Sequence, residues 1–83
     1  MITARITLYS NKKYPVKSGY RPLFLICGNY YSGVITFEGE DINQNETRSI
    51  NIDFPNFQNQ LKKGSLLKVF ESPNNEIGEI LIL

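Results

Sequence analysis

The chain opens on an alternation. Ile2, Ala4, Ile6 and Leu8 fall on one side of a two-residue repeat, and Thr3, Arg5, Thr7 and Tyr9 on the other. A period of two puts successive side chains on opposite faces, so Met1 to Tyr9 reads as a half-buried strand. Five more segments read as strands: Pro22 to Cys27, Val34 to Glu38, Glu46 to Phe54, Leu66 to Glu71 and Glu76 to Leu83. In the third, Ile35 and Phe37 share a face; in the fourth, Ile50, Ile52 and Phe54 alternate with Ser49, Asn51 and Asp53.

The intervening segments carry turn residues. Ser10 to Gly19 is a loop made basic by Lys12, Lys13 and Lys17. Gly28-Asn29-Tyr30-Tyr31-Ser32-Gly33 is expected to turn the chain, and Gly39 to Asn45 to form an acidic connection around Ile42. Pro55 ends a strand, Asn56 to Gly64 is the one stretch expected to coil briefly, and Ser72-Pro73-Asn74-Asn75 makes a hairpin turn. Six short strands without an amphipathic helix predict an all-β fold, a closed six-stranded antiparallel β-barrel. Closure hides the edges that a small open sheet exposes. The last strand, Ile80-Leu81-Ile82-Leu83, is apolar on both faces. One face is expected to fill the barrel and the other to meet a cover: a partner, a second copy or the N-terminal strand.

Ser18-Gly19-Tyr20-Arg21-Pro22-Leu23-Phe24 joins a turn to a forced strand start. Gly19 accepts positive φ, and Pro22 drives Arg21 into extended geometry. Tyr20 and Arg21 are thereby held at the mouth of the sheet.

Length and charge narrow the picture. Eighty-three residues make one domain, residues 1–83, which buries roughly 60–65% of its unfolded surface. Net charge is only +1, but residues 1–37 hold Arg5, Lys12, Lys13, Lys17 and Arg21 with no acid, whereas Glu38 to Asp53 sets five acids against Arg48. One face is thus suited to an anion, without the overall charge of a strong polyanion binder. Cys27 is single, which excludes an intrachain disulfide, and its place in an apolar strand predicts a core position. No basic region followed by an apolar one opens the chain, and no run has the ~20 apolar residues of a membrane helix. A cytoplasmic protein with no membrane partner is expected, and there the Asn45-Glu46-Thr47 sequon has no meaning.

Catalysis finds little support. With no His, the usual neutral-pH base is missing, and no Ser or Thr has a recognisable activating base. Gly28 and Gly33 have phosphate-loop spacing, but Val34 stands where Lys is required, so no nucleotide cofactor is expected. Glu38, Glu40 and Asp41 read as a solvated acidic loop rather than a cation site. No catalytic residue, metal or cofactor is assigned. For nucleic acid, Lys12, Lys13, Tyr14, Lys17, Tyr20 and Arg21 interleave cations with rings, the pattern of phosphate neutralisation plus stacking, with Tyr30 and Tyr31 as further rings.

Taken together these residues resemble the C-terminal β-barrel domain of bacterial elongation factor Tu. The core of the likeness is Pro15 followed by Gly19-Tyr20-Arg21-Pro22-Leu23-Phe24; Ser32-Gly33, Pro55, Gly64, Glu71 and Ile77-Gly78 then match in order. The resemblance spans nearly the whole chain and implies that third domain standing alone, without the GTPase domain or the middle barrel. In the family this barrel helps hold the T-stem of aminoacyl-tRNA and packs against sister domains and the exchange factor. The resemblance keeps the hydroxyl at Ser32 and the acid at Glu71. It puts Leu23 where the family has a stem-contacting Gln and Ser72 after the acid in place of Gly, and it loses a second Gly at or near Glu79 or Ile80.

Two functions of different class follow. The first is a translation-related RNA-binding module, with tRNA as the partner the resemblance implies, using Lys12, Lys13, Lys17, Tyr20, Arg21, Ser32 and Glu71. The second is a protein-binding barrel that imitates the factor, as decoy, regulator or immunity-like partner, or self-associates, through Ile80, Leu81, Ile82 and Leu83.

Overall fold

The computed structural model describes residues 1–57 and 60–83. Seven strands form: β1 (Ile2–Leu8), β2 (Leu23–Ile26), β3 (Asn29–Ser32), β4 (Val34–Thr36), β5 (Thr47–Asp53), β6 (Leu66–Ser72) and β7 (Asn75–Ile82). They pair antiparallel in one curled sheet of order β3-β2-β6-β7-β1-β5-β4. The strands at the two ends of that order, β3 and β4, are consecutive in the chain with only Gly33 between them.

The alternation assigns faces as expected. Ala4, Ile6 and Leu8 of β1, Ile50 and Ile52 of β5, and Ile80 and Ile82 of β7 point into the concave side and are buried. Phe24, Ile26, Ile35, Leu67, Val69 and Ile77 extend that core, with Val16 and Ile42, which come from connections rather than strands. β7 runs closely past β1. A Cβ built on Gly78 would lie 2.5 Å from the carbonyl oxygen of Thr7, so only glycine fits there. At Gly33 a Cβ would lie 2.7 Å from the Phe24 ring and 2.9 Å from the Phe54 ring.

Two expectations fail in one place. Gly28 to Gly33 does not simply turn the chain, because Asn29–Ser32 is itself a strand paired with β2. The reversal takes only Cys27 and Gly28, with φ of 50° and 81°. Positive φ at both central residues is the type I′ geometry, whose twist suits a two-residue hairpin. Cys27 is therefore not a core residue; it sits exposed at the hairpin tip. Seven strands thus replace the six expected. The brief coil expected over Asn56 to Gly64 falls partly on 58 and 59, which lie outside the described residues.

The connections are held by backbone bonds. Val16 and Ile42 exchange N–H···O bonds of 2.8 and 2.9 Å, and Ile35 N–H donates to the Tyr20 carbonyl at 2.9 Å. The Tyr20–Ile35 bridge keeps the register that pairs β2 with β3. The acidic segment 38–41 wraps around one cation. The Arg48 guanidinium donates to the carbonyls of Glu38, Glu40 and Asp41 and lies 5.5 Å from the Phe37 ring centre. No helix among the described residues is long and apolar enough to cross a membrane.

Candidate nucleic-acid interface

The basic loop is pinned by its own lysine. Lys12 is 5% exposed. Its ammonium lies 3.1 Å from Glu71 Oε1 and 5.5 Å from the Tyr20 ring centre. Tyr20 OH donates to the same Glu71 oxygen at 3.1 Å. An ammonium over a ring face gains from the ring's negative quadrupole, and the carboxylate neutralises it. The hydrogen bond from Lys12 is the chief cause that holds the Glu71 carboxyl below the usual carboxylate range. Burial first, then the Glu71 charge, pushes the Tyr20 hydroxyl above its ordinary range. The Lys12 carbonyl also accepts from the Gln44 side chain at 2.7 Å, tying the loop to the far connection.

The structure therefore brings Lys12, Tyr20 and Glu71 together, but as an internal clamp. What the clamp leaves outside is different. Lys13, Lys17 and Arg21 are exposed, with no ion-pair partner among the described residues. Tyr14 beside them is 74% exposed. Lys17 and Tyr20 close a turn, with Tyr20 N–H donating to the Lys17 carbonyl at 3.1 Å and Gly19 at φ 98°. That positive φ at the third turn position is the type II signature. Arg21 follows directly. Ser32 is exposed opposite Leu23, and the next residue, Gly33, donates its N–H to the Pro22 carbonyl at 3.3 Å. Arg21 and Ser32 thus stand near one end of the β2–β3 pair, while Lys13 and Lys17 belong to the loop that leads into it, Lys13 beside Pro15, Asn43 and Gln44.

The further rings are elsewhere. Tyr31 turns inward onto Phe57, ring centres 4.7 Å apart, and Tyr30 lies over Phe70 at 5.3 Å and donates to the Pro73 carbonyl. Of the C-terminal run, Ile80 and Ile82 are core residues, Leu81 is half-buried and Leu83 exposed. Because β7 lies between β6 and β1, that strand has no open edge.

Sequence reasoning missed the pairing of Lys12 with Glu71, which are far apart in the chain. One signal was present: Lys12 is followed by a second Lys, and a loop held against a core needs only one of them inside. It also missed the groove at the opposite end, a cavity of about 720 Å³ floored by Ile2, Ile52, Phe54, Phe57 and Ile82. Among the described residues, no His, Cys, Asp and Glu side chains gather as a metal site would require. No family model matches this chain, and no curated protein matches it either.

Proposed function

We propose that this chain is a non-catalytic binding module of the elongation factor Tu C-terminal barrel type, contacting structured RNA of the tRNA kind. In this reading β3 and β4 are one strand bent at Gly33, with β2 on one side and β5 on the other. The sheet then closes as the six-stranded barrel of translation factors. The bent strand is supported by the Tyr20–Ile35 bridge, which extends the β2–β3 register past the bend.

The observation that carries the RNA reading is the pinned loop itself. Ordering three long cationic side chains on RNA costs conformational entropy, and a loop fixed in advance reduces the backbone share of that cost. Lys13, Lys17 and Arg21 then act on phosphates, Tyr14 offers a stacking face and Ser32 a hydroxyl contact. Lys12, Tyr20 and Glu71 act behind them as positioning residues.

Fluorescence anisotropy with purified tRNA at rising KCl tests this. Saturable binding is expected, with log affinity falling against log salt at a slope of about −2.7 if all three cations reach duplex phosphates. Each of Lys13→Gln and Lys17→Gln removes about one unit of that slope. A flat salt response, or no binding at low salt, refutes the reading.

A second reading, a protein-binding barrel that imitates the factor, is favoured by one feature of the outer face. Leu66 is 67% exposed and pairs across strands with half-buried Leu81. Capture of a defined partner that Leu81→Lys abolishes, without any RNA binding, supports that reading instead.

A further inference from the structure

Along 29–36 the backbone groups point alternately to either side. Asn29 and Tyr31 face β2, as do Gly33, which donates to the Pro22 carbonyl, and Ile35, which donates to that of Tyr20. Tyr30, Ser32, Val34 and Thr36 therefore face the opposite way. β5 takes up Val34 and Thr36 opposite Asp53 and Asn51. Continued by two residues, that register would set Pro55 opposite Ser32, and proline has no N–H to give. β5 ends before it, at Asp53. Among the described residues, nothing pairs with the outward N–H and C=O groups of Tyr30 and Ser32.

Exposed edges are usually guarded by charge, by proline within the strand, by a bulge or by shortness. This one has only its length of four residues. No charged residue occurs from Pro22 to Phe37, in a chain that is 20% charged. The β2–β3 ladder runs without a register shift. The Tyr30 ring leans over the outer face toward Phe70 and Pro73, away from the edge.

We propose that this edge is a homodimer site, at which a second copy of the chain adds its own Asn29–Ser32 strand antiparallel about a twofold axis at Tyr31. Tyr30 of each copy then pairs with Ser32 of the other, which uses both open residues on both sides. About this axis Tyr31 meets its own image and Tyr30 and Ser32 meet each other, so a charge-free stretch sets no like charges together in a second copy and offers a charged partner nothing to match. Leu23, Leu25 and Tyr30, neighbours on the outer face, become continuous across the axis and add apolar burial. Nothing in this contact depends on RNA binding.

Cys27 supplies the test, being the single cysteine and exposed. It stands four residues from the axis, so its two copies would lie about 25 Å apart at ~3.3 Å per residue. Sedimentation velocity over a concentration series and electron–electron distance measurement on nitroxide-labelled Cys27 are made on the whole chain. A reversible dimer is expected, with an intermolecular distance centred near that value and widened by the label arms. Ser32→Pro removes an outward N–H that the β2–β3 ladder does not use, and it weakens association on the order of tenfold or more. Ser32→Lys, which keeps the backbone and adds a guarding charge, does the same, and near-UV circular dichroism checks that both variants fold. A strict monomer at millimolar concentration overturns the proposal. So does a dimer that both Ser32 variants leave intact, or one that Leu66→Asp alone dissociates.

Discussion

Replacing Glu71 by Gln isolates the charge that stabilises the clamp. The amide still offers Tyr20 an acceptor, but the Lys12 ammonium, with its side chain 6% exposed, loses its only anionic partner among the described residues. Breaking a fully buried ion pair from one side costs about 3–5 kcal/mol, while exposed pairs contribute about 0–1 kcal/mol. Here the cation is buried but the Glu71 side chain is 47% exposed, so water screens part of the interaction. The Tyr20 ring face also remains under the ammonium. The expected cost falls between the limits, at about 2 kcal/mol, or a Tm lower by about 8–16 °C for a domain of this size. Lys12→Met keeps the length of the stem without the charge and is expected to cost less than about 1 kcal/mol. The double variant then recovers most of the stability lost in Glu71→Gln, a coupling that urea denaturation of all four proteins measures directly. A Glu71→Gln cost below about 0.5 kcal/mol, or strict additivity in the cycle, would show that Lys12 is not held by this carboxylate.

Two further outcomes follow from the same geometry. The Glu71 carboxyl is depressed in the folded chain, so the stability it contributes is complete above the unfolded value of about 4.3 and is lost as pH falls through the lower folded value. The urea midpoint of the wild type should therefore drop below about pH 4.5 more steeply than that of Glu71→Gln, and parallel acid profiles refute the assignment. Gly78→Ala forces a methyl onto the Thr7 carbonyl and is expected to destabilise by about 1–3 kcal/mol; a neutral effect would mean that β1 and β7 are not so closely packed.

Much of the fold was legible because the inward positions alternate strictly. Ile2 to Leu8 and Ile50 to Ile52 have one apolar face each, and a one-residue slip would expose every member of it. The hairpin at Cys27-Gly28 was hidden because left-handed geometry at a cysteine is uncommon, and Asn-Gly or Asp-Gly is the usual signal. Tyr30 and Tyr31 then read as turn residues although they alternate out and in.

By itself the sequence determined the strand-forming segments, the inward set of side chains, the turn at Gly19 and the charge-free stretch from Pro22 to Phe37, since each depends only on local backbone preference or periodicity. Tertiary structure alone decided which lysine goes inside. Lys12 and Lys13 are chemically identical neighbours, and only the arrival of Glu71 and Tyr20 from other elements distinguishes them. It also decided that Glu38, Glu40 and Asp41 turn their carbonyls onto Arg48, and that β5 ends at Asp53, before its register with β4 would reach Ser32. Contacts between residues distant in the chain are set by strand order and register, which no local pattern encodes.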